Sequence, residues 1–139
     1  MKIKKSHYLF IALLSISLVS CGQKQKKGSA TEEAETTISL ISPSELNNRN
    51  EDILIIDVRT PEEFASGHLE NSVNIDYKAD NFEELVGELD RNQDVYVYCK
   101  VGGRSGRSAK VLEDLGFKKV YDLDGGIIAW EKDGLKTVK

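Results

Sequence analysis

Between Val95 and Leu112 the chain reads VYVYCKVGGRSGRSAKVL, and Cys99 is the residue in it best placed to do chemistry. Alternating β-formers run into the cysteine, a loop with paired glycines follows, and a helical pattern takes over from Gly106. Gly102, Gly103 and Gly106 remove side-chain bulk where a strand must turn sharply into a helix. Successive N–H groups in such a turn can converge as an anion-binding nest, and the unpaired N–H groups that open the helix add a partial positive charge. Lys100 and Arg104 bring full charges to the same loop, which Val101 and Ser105 complete. All of this favours thiolate over thiol at Cys99, and the thiolate is the reactive form. The same field would hold an anionic group transferred onto the sulfur. A cysteine that serves only as a small apolar residue has no use for glycines and cations beside it.

Other cysteine chemistries lack their partners. No Cys-x-x-Cys pair is present, and His68 is the only histidine after residue 20, so no metal site or cofactor is expected. With Cys21 near the N-terminus as the only other cysteine, Cys99 has no resolving thiol for disulfide exchange. Charge sets a further bound. The formal net charge is −4, but Lys2, Lys4 and Lys5 fall within residues 1–20, which carry no acid; without that segment, 16 basic side chains face 23 acidic ones, a balance of −7. Such a surface is poorly suited to nucleic acid. Any anion the domain handles must be held by a local positive site.

The elements that position Cys99 can be read along the chain. At 139 residues there is room for one domain with a core of its own. TISLIS (37–42) predicts a short strand, and SPSE (42–45) a capping box with Ser42 as N-cap, Pro43 at N1 and Glu45 at N3. DILIID (52–57) is a continuous apolar run bounded by acids, as in a strand buried on both faces. TPEEFASG (60–67) repeats the box with Thr60, Pro61 and Glu63. SVNID (72–76) predicts a brief strand, DNFEELVGEL (80–89) an amphipathic helix capped by Asp80, and DVYVYC (94–99) the strand into the cysteine. GRSAKVLEDLG (106–116), KKVYDL (118–123) and GGIIAWEKDG (125–134) then predict helix, strand and helix. Glu62–Glu63 and Glu83–Glu84 read as solvated helix faces. Strands alternating with helices argue an α/β domain around a mostly parallel sheet, with ligands beyond the carboxyl ends of the strands, where Cys99 and Asp57 both fall.

The N-terminal segment has a different character. Three lysines, an apolar run from Tyr8 to Val19 and then small residues follow the pattern of a secretory signal, too short to span a bilayer. LVSC (18–21) resembles the lipobox of bacterial lipoproteins, which implies cleavage before Cys21 and lipid on its sulfur and new amino group. Residues 22–37, GQKQKKGSATEEAETT, read as a solvated tether. The expected layout is a signal peptide at 1–20, lipidated Cys21 and tether at 21–37, and a folded domain at 38–139. The expected location is the bacterial cell envelope, with the domain outside the cytoplasm.

Three stretches carry a further resemblance: IIDVRTPEEFASGHLENSVNI (55–75), CKVGGRSGRSA (99–109) and LGFKKVYDLDGGIIAW (115–130). In this order and spacing the sequence resembles a single-domain rhodanese, a sulfurtransferase of the rhodanese-like family. The resemblance implies a five-stranded mostly parallel sheet flanked by helices, with Cys99 carrying a persulfide intermediate. It implies a substrate-binding loop of Lys100, Val101, Gly102, Gly103, Arg104 and Ser105. It also implies loop support from the Asp57–Arg59 pair and from His68. The loop matches the shorter form of the sulfurtransferase branch; a related phosphatase and arsenate-reducing branch has one residue more. The expected partners are a small anionic sulfur donor such as thiosulfate and an acceptor thiol, or cyanide in vitro. A persulfide carrier serving a partner protein needs the same residues and stays open. Glu70 and Asn71 depart from the family pattern, which more often has a proline and Gly-Ala here.

Overall fold

The computed structural model describes residues 37–49 and 52–139. The expected signal peptide, lipidated Cys21 and nearly all of the tether lie outside these residues. Five strands alternate with five helices: β1 (Thr37–Ile41), α1 (Pro43–Asn47), β2 (Leu54–Asp57), α2 (Pro61–Ser66), β3 (Ser72–Asn74), α3 (Phe82–Gly87), β4 (Val95–Tyr98), α4 (Gly103–Asp114), β5 (Lys119–Leu123) and α5 (Gly126–Lys132). The strands form one sheet in the order β1-β5-β4-β2-β3, and each of its pairings is parallel. The expected five-stranded α/β architecture is the one observed.

Both predicted capping boxes are formed. Thr60 Oγ1 accepts the Glu63 N–H at 3.3 Å while Glu63 Oε2 accepts the Thr60 N–H at 3.1 Å. The Ser42 and Glu45 side chains close the same reciprocal pair at 3.3 and 3.0 Å. Two helix starts differ from the sequence reading. α3 has Asn81 at its N-cap with no side-chain bond, so Asp80 does not cap it. α4 begins at Gly103, three residues before the predicted Gly106, because the chain enters the helix directly from the left-handed Gly102 (φ 102°). That earlier start aims the first turn of α4 at the end of β4.

Side chains alternate across the sheet and build two cores. Val95, Val97 and Cys99 face α3 and α4 with Phe82, Val86, Ala109 and Leu112, whereas Tyr96 and Tyr98 face α1 and α5 with Leu46, Ile127 and Trp130. A sheet covered on both faces needs apolar residues at successive positions of its central strands, which is why β2 and β4 read as unbroken apolar runs. Strand order reverses between β2 and β4, since β2 leads to β3 on one side and β4 to β5 on the other. A crevice opens at such a switch point. Asp57 ends β2 and Cys99 follows β4 at this place.

Candidate active site

Cys99 is 1% exposed, its sulfur tucked under the loop that turns β4 into α4. The Gly102 N–H donates to Sγ at 3.1 Å, and the Ser105 hydroxyl lies 3.6 Å away. Burial pushes the thiol up, but the N–H groups of Ser105, Val101 and Gly102 and the Ser105 hydroxyl outweigh it, and its pKa falls below the ordinary value. The sulfur stands before the N-terminus of a 12-residue helix, where the dipole favours negative charge. A glycine at 102 is needed for that geometry, because the left-handed conformation would strain any residue with a Cβ.

The far wall of the loop is held by α5. The Ile127 N–H donates to the Cys99 carbonyl at 2.9 Å, and the Ile128 N–H to the Lys100 carbonyl at 3.2 Å. Gly126 is left-handed (φ 60°), and a Cβ there would stand 2.5 Å from the Cys99 carbonyl oxygen. The second glycine of LDGG therefore lets α5 close on the cysteine's own backbone. From the sequence alone this pair predicts only the start of a helix; two successive glycines ahead of an apolar run are the signal of the close approach.

Lys100 and Val101 are exposed at the mouth, Val101 to 64%. Arg104 has a partner that the sequence did not suggest. Its Nη1 and Nη2 donate to Glu63 Oε2 and Oε1 at 2.6 and 2.8 Å, a bidentate pair across 41 positions of sequence. The bonds from Arg104 are the main reason the Glu63 carboxyl is lowered to about 2. Glu62 is exposed, whereas Glu63 caps α2 and clasps the loop arginine, so the reading of both as a solvated face holds for Glu62 alone. Arg104 remains at the mouth, but its charge is largely answered.

Asp57 and Arg59 form a buried ion pair, their side chains 0% and 6% exposed. Arg59 Nε donates to Asp57 Oδ1 at 2.9 Å and Nη2 to Oδ2 at 2.6 Å; Nη2 also donates to the Gly67 carbonyl at 2.7 Å. These bonds tie the end of β2 to the α2–β3 connection. They approach the Cys99 loop through Tyr98, whose ring lies 5.6 Å from the Arg59 guanidinium and whose hydroxyl accepts the Leu69 N–H at 3.1 Å. His68 belongs to the same connection. Its ring stacks on Phe64 at 3.7 Å, its Nδ1 lies 3.1 Å from the Phe64 carbonyl, and its backbone pairs with Val138 at 2.9 Å in both directions. Asn71, in the stretch that departs from the family pattern, takes a left-handed φ of 62°.

The structure thus holds the Cys99 sulfur with Gly102 and Ser105, in a loop that Lys100, Val101, Gly103 and Arg104 complete, while Asp57 and Arg59 brace the end of β2 and His68 secures the α2–β3 connection. A surface depression of about 810 Å³ lies by the opposite ends of the strands, among Leu46, Ile53, Leu54, Trp130 and Leu135, away from the Cys99 sulfur.

A parallel α/β sheet with a cysteine held before a helix N-terminus at a switch point is an arrangement suited to an anionic sulfur. Comparison with known proteins supplies the family. The rhodanese-like domain model matches residues 42–133. A sulfurtransferase of Allochromatium vinosum is 35% identical over 88 residues, 63% of this chain and 80% of that protein. The chloroplastic thiosulfate sulfurtransferase 16 of Arabidopsis thaliana is 36% identical over 92 residues, 59% of this chain and 77% of that one. The crystal structure of a rhodanese-related protein from Thermoplasma volcanium superposes with a TM-score of 0.65 at 30% identity, covering 72% of this chain and 97% of that one. The chain belongs to the rhodanese-like family.

Proposed function

We propose that the protein is a sulfurtransferase that moves sulfane sulfur from a donor such as thiosulfate to a thiol, through a persulfide on Cys99. The observation that carries this reading is the Cys99 sulfur itself, held by the Gly102 N–H and the Ser105 hydroxyl before the start of α4. The Cys99 thiolate attacks the outer sulfur of thiosulfate. A new S–S bond forms at Sγ, the S–S bond of thiosulfate breaks, and sulfite leaves with that electron pair. An acceptor thiolate, or cyanide, then attacks the outer sulfur of the persulfide and expels the Cys99 thiolate. No general base is needed, because the field of the loop already favours the ionised sulfur. Each persulfide is anionic, so the N–H groups that hold the thiolate also hold the intermediate.

The test is direct. Thiosulfate added to the full chain should raise its mass by one sulfur atom, a thiol reductant should remove that atom, and cyanide should be converted to thiocyanate with ping-pong kinetics. A chain that stays unmodified while Cys99 can still be alkylated overturns the mechanism.

Arg104 supports the charge of the donor only through what Glu63 leaves unanswered. Arg104→Ala is expected to raise the KM for thiosulfate by about fivefold, and to cost less than ~1 kcal/mol of stability, as a partly exposed pair does. The sign of its pH dependence follows from Glu63. With that carboxyl lowered to about 2, the pair's contribution is complete above the unfolded carboxyl value of ~4.3 and is lost as pH falls through about 2. The stability gap between wild type and Arg104→Ala should therefore close in strong acid, as read by urea unfolding at pH 7 and pH 2. Equal KM values for the two proteins would show that the backbone N–H groups suffice.

We further propose, from the lipobox-like LVSC, that lipid on Cys21 places the domain at the cell envelope, outside the cytoplasm. Cys21→Ala should then release the protein from membranes without loss of transfer activity. Retention of that variant in the membrane fraction would point to an uncleaved apolar segment instead.

A further inference from the structure

We infer that Asp122 is a positioning residue for the sulfur of Cys99: protonated, it turns the Ser105 hydroxyl onto that sulfur, and ionised, it draws the hydroxyl away. The inference rests on Cys99 being the sulfur-carrying residue. β5 carries Asp122 opposite Val97 and Val120 opposite Val95, so Asp122 lies on the face of the sheet that packs under α4. Its neighbours on that face are Val97, Cys99 and Val120, with Ala109 and Leu112 above. An apolar residue would suit this position, yet the chain buries a carboxyl there, 6% exposed.

The first turn of α4 closes over it. A Cβ built on Gly106 would stand 3.5 Å from Asp122 Oδ2, and Ser105, the residue before Gly106 in that turn, is fully buried beside the same face and bears on the carboxyl's ionisation. Oδ1 is buried with no hydrogen-bond partner. A buried carboxylate in that condition is costly, and a neutral acid far less so. The other groups that bear on Asp122 agree. Asp124, from the β5–α5 turn, adds like charge, while Ser105 from α4 opposes the effect of burial, which raises the pKa overall. Leu40 of β1 and Val97 of β4, its partners in the sheet, bring no charge.

Ser105 has one hydroxyl proton, which the structure directs to Cys99 Sγ at 3.6 Å and the Gly102 carbonyl at 3.2 Å; the Asp122 carboxyl, whose ionisation Ser105 favours, competes for the same proton once it is charged. A protonated Asp122 donates its own O–H to Ser105 Oγ and leaves the serine proton to the sulfur. An ionised Asp122 claims that proton, removes a donor from the sulfur, and adds a negative charge behind it. The two ionisations are therefore coupled, and each raises the pKa of the other by the same amount.

Alkylation of Cys99 by iodoacetamide, followed against pH in the full chain, reads this coupling whether or not the protein transfers sulfur. A failed relay and a failed sulfurtransferase assignment are thus distinguishable. Wild type should titrate over a span broader than a single ionisation. Asp122→Asn, whose amide donates to Ser105 permanently, should titrate as one ionisation with a midpoint lower by about one pH unit. Ser105→Ala should raise the midpoint, and in that background Asp122→Asn should shift it by less than half as much. Superimposable profiles for wild type and Asp122→Asn would overturn the inference, as would an undiminished shift in the Ser105→Ala background. Should Asp122→Asn fold poorly, the Asp122 carboxyl can be titrated by carbon-13 NMR in wild type before and after Cys99 is capped with iodoacetamide. Its midpoint should fall once the thiolate is gone; an unchanged midpoint overturns the relay.

Discussion

Replacing Cys99 with serine is expected to abolish sulfur transfer, by more than about 10⁴-fold in turnover, while the fold stays intact. The reason is chemical. Donors that bring a thiol below its ordinary pKa cannot bring a serine hydroxyl, many units less acidic, to a comparable degree of ionisation. An oxygen in that place also has no route to a sulfane intermediate. The stability cost should be small, since the side chain loses little volume and a hydroxyl at 99 can still accept the Gly102 N–H. Mass spectrometry after thiosulfate treatment and a thiocyanate assay check the two halves separately. Appreciable transfer by the serine variant would move the chemistry away from this loop.

The prediction rests on a loop whose chemistry is legible in its residue types. CKVGGRSGRSA announces itself because its glycines and cations are atypical for a strand–helix junction that merely folds: glycines cost helix stability, and cations collect around a lone thiol. The same glycines hid the true start of α4. Gly103 and Gly106 are poor helix formers, so propensity delayed the helix to Gly106, while the tertiary structure starts it at Gly103. The capping boxes at Ser42 and Thr60 were legible because they are local, each closed within three residues. The Glu63–Arg104 clasp was not, because nothing in a capping glutamate shows that its second oxygen reaches 41 positions down the chain. Asp122 was hidden by the same distance. In KKVYDL it is one polar residue near a strand end, and only the register with Val97 places it under α4. Sequence conveys what a residue can do; pairing across the sheet decides what it faces.

Arg59 tests that distinction, because a loop arginine near an anion-handling site invites a substrate role that its contacts oppose. Arg59→Ala is expected to cost about 3–5 kcal/mol, the loss typical when one member of a buried ion pair is removed. Asp57, fully buried, would keep a charge without its partner, and the Gly67 carbonyl would lose its donor. Against the roughly 5–15 kcal/mol that a domain has in hand, this would leave a marginal fold. Urea unfolding should show a lower midpoint at unchanged slope. Arg59→Lys should rescue little, since an ammonium cannot span both Asp57 oxygens and the Gly67 carbonyl with the planar fork that does so now. Pairing Arg59→Leu with Asp57→Asn should recover part of the loss, because the uncompensated charge is gone. Activity separates the two roles. The bonds to the Cys99 sulfur and carbonyl come from Gly102, Ser105 of α4 and Ile127 of α5, so the folded fraction of Arg59→Ala should still alkylate and take up sulfur with nearly the wild-type KM for thiosulfate. A KM raised more than about tenfold in fully folded protein, a loss near 1.4 kcal/mol, would instead put the guanidinium in contact with the donor.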